Sequence, residues 1–204
     1  MNTGRRGRAA RTERERRTIV GQRTGKASTV AGRAATLRSV WTTRRERPED
    51  RAAIHVVNAA AFPTTDEADL VDALRGDADA WVDLSFVALE DDHVVAHALL
   101  TRCHVDGGPA LALAPCAVLP ENQHQGLGAA TIGAALDAAR EDGENLVVVL
   151  GHADYYPRFG FTPASGHGVR APFDVPDEAF LALALDPSRP TPTGTVTYPP
   201  AFGV

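Results

Sequence analysis

The stretch Cys116-Ala-Val-Leu-Pro-Glu-Asn-Gln-His-Gln-Gly126-Leu-Gly128-Ala129 reads as a strand end, a short polar turn and two glycines at the mouth of an alanine-rich helix. Such a junction is an anion site. Unpaired N–H groups at a helix start point outward, and glycines let a phosphate come close to the backbone. Gln123 and the amides of His124, Gln125, Gly126, Leu127, Gly128 and Ala129 are the candidate donors, so no basic side chain is required. A Walker loop needs Gly-Lys-Ser/Thr, and the single lysine, Lys26, lies far upstream, which excludes that reading. The dinucleotide fingerprint Gly-x-Gly-x-x-Gly would align Gly126, Gly128 and Thr131, losing its third glycine, and belongs on a first βα unit rather than after four strands.

Working outward, residues 110–119 are too apolar for anything but a central strand, and Pro115, which cannot donate to a ladder, predicts a bulge or break there. Upstream, 84–89 and 94–100 flank an acidic turn as a hairpin. Residues 41–45 form a first strand, Pro48-Glu-Asp-Arg opens a helix ending near Phe62-Pro63, and 66–75 form a second helix with Leu70, Ala73 and Leu74 as its stripe. Downstream, Leu127, Ala130, Thr131, Ala134, Ala135 and Ala138 share one face of a helix that Gly143 ends, and 146–150 is a buried strand. A short helix over 154–159 and β-type stretches at 179–185 and 195–198 complete an α/β sheet of mixed direction.

The spacing Gln123-His-Gln-Gly126-Leu-Gly128 after Ala-Val-Leu-Pro-Glu resembles the pyrophosphate loop of the GNAT superfamily of acetyl-CoA-dependent N-acetyltransferases. A second match, Tyr156-Pro-Arg-Phe-Gly160-Phe161, follows the next strand as the family's Tyr-x-x-x-Gly-Phe does. The surrounding 150–161, the start Phe62-x4-Glu67-Ala-Asp-Leu and the ending Tyr198-Pro-Pro-Ala-Phe202 resemble the small bacterial YhbS-like branch. The likeness runs from Trp41 to the C-terminus.

The resemblance implies an α+β fold of GNAT type: a mixed, mostly antiparallel central sheet splayed between its fourth and fifth strands, with helices on both faces. It implies that backbone groups of Ala117 and Val118 pair with the pantetheine amides, that the pyrophosphate sits on the amides from Gln123 to Ala129, and that acetyl-CoA is the co-substrate. The amine attacks directly, and Tyr156 donates a proton to the leaving thiolate; Tyr155 is its near competitor. Glu67 is the candidate base, with attraction of a cationic amine or a merely solvated carboxylate as the alternatives. Where the family's fifth strand is often followed by Asn, this chain has Gly151-His152, and His152 is either a substitute acid/base or a loop residue. Cys116 reads as a buried small hydrophobe. A non-catalytic acyl-CoA-binding module remains the alternative function.

The net charge of −5 averages two unlike parts. Residues 1–40 hold 11 Lys+Arg and two acids, net +9, while 41–204 hold 10 and 24, net −14. The basic stretch has few apolar residues and no period, so it is expected to be disordered, an extension from an upstream start, a targeting peptide or a nucleic-acid contact. The body, 41–204, is the expected N-acetyltransferase domain, its acidity favouring a cationic amine of a small molecule or peptide. Two cysteines cannot build a disulfide framework or a four-ligand zinc site, and His93 and His97 lie too far apart along a strand to chelate one ion, so no metal is expected. Absence of a ~20-residue apolar run and the sparse cysteines imply a cytoplasmic protein without membrane contact, monomeric or paired with itself.

Overall fold

The computed structural model describes residues 19–22 and 40–204. Its strands, in chain order, are β1 (Ile19–Gln22), β2 (Val40–Arg45), β3 (Leu84–Glu90), β4 (His93–Val105), β5 (Gly108–Val118), β6 (Leu146–Leu150), β7 (Thr162–Pro163), β8 (Val169–Arg170), β9 (Phe180–Ala184) and β10 (Gly194–Thr197). The helices are α1 (Arg51–Ala61), α2 (Asp66–Gly76) and α3 (Leu127–Glu141). Strands pair in the order β1-β2-β3-β4-β5-β6-β9-β7, antiparallel throughout except β5 with β6. β10 pairs with the far end of β4, at Val105 and His104, beyond the last β3 partner at Leu100, and with β8 in parallel.

Side-chain alternation along the strands builds two cores. Leu84 and Phe86 of β3 face Ile132, Ala135, Leu136 and Ala139 of α3, while Val87 and Leu89 face Ile54, Val71 and Leu74 of α1 and α2. Helices therefore cover both faces, as the resemblance implied. Each fully buried leucine or isoleucine here contributes about 1.5–3 kcal/mol by leaving water. The alanines of α3 let its axis lie close to the sheet; Ala130, expected on that face, is only half-buried.

Some expectations change. Ile19–Gln22, inside the stretch expected to be disordered, form an edge strand on β2, and Val40 belongs to β2. A four-residue strand can borrow an existing edge without an apolar core of its own, which apolar periodicity does not register. The remainder of that stretch, 1–18 and 23–39, lies outside the described residues. The helix expected over 154–159 is a 3-10 turn, Tyr156–Phe159, which Gly160 closes in a left-handed conformation (φ 93°). The bulge predicted at Pro115 is present: Ala98 pairs with Cys116 but Leu100 with Leu113, so Ala114 and Pro115 of β5 lie opposite Leu99 alone on β4.

Under the sheet runs a buried polar chain. Asn58 Nδ2 lies 3.0 Å from His97 Nδ1, and His97 Nε2 lies 3.0 Å from the Ser85 hydroxyl, which donates to Glu46. Glu46 also accepts from Arg75 Nε at 2.8 Å. Asn58 can donate to His97 Nδ1 only if that nitrogen is unprotonated, so this arrangement of donors requires a neutral imidazole. Burial, with Arg75 nearby, pushes His97 down to about 3. The unfolded chain takes up this proton below about pH 6.5 and the folded chain does not, so stability should fall as pH drops from about 6.5 toward 3. Urea denaturation should show a loss of about 2 kcal/mol from this group between pH 7 and pH 5. His97→Gln should flatten the slope; an unchanged slope would assign the acid sensitivity elsewhere.

Candidate active site

The parallel pairing of β5 with β6 is confined to Leu111–Val147 and Ala112–Val148. Past these pairs the strands part, and the edge of β5 from Leu113 to Val118 that faces β6 has no strand partner among the described residues. On its other edge Cys116, Ala117 and Val118 remain registered with Ala98, His97 and Ala96 of β4. Ala117 and Val118 thus lie beside the opening, which is the splay expected between the fourth and fifth strands counted from Trp41.

At the end of β5 the 3-10 turn Pro120–Asn122 leads into the glycine loop. Its shape is set by two left-handed residues, His124 (φ 60°) and Gly126 (φ 89°). The first bond within α3 runs from Ala130 N–H to the Gly126 carbonyl at 2.9 Å, so the amides of Leu127, Gly128 and Ala129 have no intrahelical acceptor. No side chain caps this end. Gly128 sits tightly: a Cβ there would lie 3.1 Å from Val118 Cγ2 and 3.3 Å from the Tyr155 hydroxyl. The side chain of Gln123 turns back to donate to the Val118 carbonyl at 3.3 Å, and that of Gln125 donates to the Glu121 carbonyl at 3.1 Å. What the loop offers outward is therefore chiefly backbone N–H.

The opening continues into a cavity of about 490 Å³. Its lining brings together Glu67 from the first turn of α2, Pro115 and Cys116 from β5, Leu150 to His152 at the end of β6, and Tyr156. The two tyrosines separate here. Tyr156 lines the cavity, packs edge-on against Phe161 (5.8 Å, 73°), and lies beside the Cys116 thiol. Tyr155 instead lies under the Arg158 guanidinium, 4.3 Å from its ring centre, with its hydroxyl toward Gly128. Burial, reinforced by Cys116, pushes the Tyr156 phenol above its ordinary range, so it holds its proton at neutral pH. Burial also pushes the Cys116 thiol up to about 12. Cys116 is thus half-buried and protonated, packed against the core on one side and walling the site on the other.

Glu67 is half-buried, and its Oε2 is shielded from water without a hydrogen-bond partner. His152, expected either as an acid/base or as a loop residue, borders the cavity with an exposed side chain. Its carbonyl accepts from the Tyr155 and Tyr156 amides at 3.0 and 3.4 Å, which holds the tyrosine turn. His97 is buried in the polar chain described above, and His93 is exposed with Nδ1 2.8 Å from the Asp91 carbonyl. Among the described residues no three His, Cys, Asp or Glu side chains are grouped as metal ligands, and no helix is long and apolar enough to cross a membrane.

Two features went unread in the sequence. Any side chain at Gly151 would overlap the Tyr156 ring, so this glycine makes room for the tyrosine. Gly151→Ala should push the ring off its place, lowering turnover about tenfold or more and destabilising the fold by about 1–3 kcal/mol; single-turnover kinetics and urea denaturation measure the two. The other is the tail. Phe173, Tyr198 and Phe202 close the cavity, with Tyr198 stacked on Phe173 (6.4 Å, 17°) and against Phe202 (5.0 Å, 38°). The segment Tyr198-Pro-Pro-Ala-Phe202 was visible as a motif, but nothing local said which wall it forms.

Comparison with known proteins agrees with this geometry. Residues 41–161 match the acetyltransferase (GNAT) family. The uncharacterised N-acetyltransferase YjhQ of Escherichia coli K12 is 41% identical over 134 residues, covering 63% of this chain and 74% of YjhQ. The GNAT protein YhbS of Escherichia coli, solved in complex with CoA, superposes with a TM-score of 0.75 at 29% identity over 85% of this chain and 97% of that one. A GNAT acetyltransferase of Brucella melitensis, solved with acetyl-CoA, gives 0.65 at 34% identity over 79% and 97%. The chain belongs to the GNAT family of acetyltransferases and is an N-acetyltransferase, an enzyme of the acyltransferase class.

Proposed function

We propose that the protein transfers the acetyl group of acetyl-CoA to the primary amine of a small molecule or peptide, by direct attack in the opening between β5 and β6. One observation carries the reading: an unpaired strand edge and a protonated tyrosine border one cavity, and an uncapped glycine-bearing helix start follows the far end of that same strand edge. These fit acetyl-CoA part by part. The free edge of β5 around Ala117 and Val118 suits the pantetheine amides, and the amides from His124 to Ala129 suit the pyrophosphate. The complexes of YhbS with CoA and of the Brucella protein with acetyl-CoA support the same ligand.

Acetyl-CoA supplies the activated acyl group. The protein's part is orientation and proton handling. The amine nitrogen forms a bond to the acetyl carbon as the carbon–sulfur bond breaks, and the sulfur takes a proton from Tyr156, which its raised phenol keeps available. Glu67 receives the proton the amine loses, directly or through water, and passes it to solvent, from which the Tyr156 phenolate regains a proton before the next turnover. The unit responsible is the body, 41–204. Its two free cysteines suit a reducing, cytoplasmic setting.

Release of free thiol from acetyl-CoA with a panel of amines tests this. Turnover that depends on an amine is expected. Tight acetyl-CoA binding by calorimetry with no amine-dependent thiol release would favour a binding module instead.

A further inference from the structure

We propose that the acceptor is a primary amine on a single aromatic body, an arylalkylamine, with its ammonium at Glu67 and its ring against Phe173, Tyr198 and Phe202. The proposal rests on the acetyl-transfer reading above and names the substrate class for that site.

The sequence of α2 fixes the polar end. Ala68, Val71 and Leu74 are the buried face of the helix, which leaves Glu67 at its margin, bordering the cavity. Glu67 is the one carboxylate side chain in the cavity lining, and it is half-buried. A half-buried carboxylate with no counter-charge in the lining is costly, and an ammonium answers it with three N–H donors and a charge. Among the described residues the lining contains no arginine or lysine, so the cation must arrive with the ligand. A neutral acceptor such as an alcohol would leave the charge uncompensated.

The apolar end is fixed by the tail. β10 is anchored on β4 at Val105 and His104, and the chain after it turns at Pro200–Phe202. This sets Tyr198 and Phe202 beside Phe173 in a stacked wall, with Phe62 and Leu70 completing the apolar lining. Away from Glu67, the other polar side chains that line the cavity cluster near the strand opening (Cys116, His152 and Tyr156), apart from the phenol of Tyr198. A sugar or polyamine body would bury hydroxyl or ammonium groups against rings with few partners, and a site discriminates strongly against polar groups it cannot pair. One ring on this wall gains both burial and ring–ring contact.

The test compares 2-phenylethylamine with ethanolamine, spermidine and a short lysine-containing peptide by thiol release, with acetyl-CoA binding followed separately by calorimetry. The expected kcat/KM for 2-phenylethylamine exceeds each of the others by about tenfold or more. Phe202→Ala should lower kcat/KM for 2-phenylethylamine about tenfold more than it lowers that for ethanolamine, so the preference collapses. In calorimetry on the CoA complex, Glu67→Gln should weaken 2-phenylethylamine binding about tenfold or more. Faster turnover of spermidine, ethanolamine or the peptide, or a preference that Phe202→Ala does not reduce, overturns the substrate class and leaves acetyl transfer standing. Absence of acetyl-CoA binding overturns both.

Discussion

Tyr156→Phe should lower kcat by two to three orders of magnitude while the Kd for acetyl-CoA stays within about twofold. The substitution removes one oxygen and nothing else. The ring keeps its edge contacts with Phe161 and with Tyr155, which lies 5.2 Å away at 88°, so the turn and the cavity wall persist. What is lost is the hydroxyl beside Cys116 at the mouth of the strand opening. Because burial holds the phenol above its ordinary range, the wild-type enzyme should show no loss of acid catalysis on the alkaline side up to about pH 9. Tyr155→Phe is the matched control: its hydroxyl points at Gly128, so turnover should change less than about threefold. Pre-steady-state thiol release separates the chemical step from binding. A Tyr156→Phe enzyme with wild-type kcat would remove the tyrosine from the chemistry.

Gly126→Val should weaken acetyl-CoA binding at least a hundredfold. Gly126 has φ 89°, where an L residue costs about 1–2 kcal/mol and a β-branched one is a true outlier. A Cβ there meets no protein atom within 4 Å, so it projects into open space at the mouth of α3, where the loop presents its amides. The loop would have to refold or the anion would meet the isopropyl group. Gly133 gives the contrast. It lies within α3, has ordinary backbone geometry and open space around it, and Gly133→Ala should stabilise the fold by about 0.5–1 kcal/mol with binding unchanged. Calorimetry and thermal melts read the two effects side by side; tight binding by the Gly126→Val protein would place the pyrophosphate elsewhere.

What the sequence made legible was what local physics decides. The hairpin of β3 and β4, the helix after Gly128 and the anion-binding turn before it each follow from spacing within a dozen residues. Pro115 announced its bulge because a missing N–H leaves few choices in a central strand. Tyr155 and Tyr156 could not be told apart by chain position alone, since a 3-10 turn and an α-turn aim successive side chains differently. Glu67 could be placed on its helix, yet its unpartnered oxygen depends on what the cavity withholds from it. The aromatic wall was hidden for a related reason: Tyr198 and Phe202 reach the site only because β10 takes the length of β4 that β3 leaves free. The strand Ile19–Gln22 escaped because its stability is lent by β2.

The parting of β5 and β6 also bears on whether one copy of the chain can pair with another. An interior split gives the sheet a bare edge at its centre, the kind of template on which one chain can pair with another. Here the exposed run is short, Pro115 interrupts its donors, and Gly151 lets Tyr156 lie across the mouth. Leu150 remains half exposed at that mouth, at 51%. A ligand seated there would cover it and complete the hydrogen bonding, so acetyl-CoA added during purification should suppress self-association as well as raise the melting temperature.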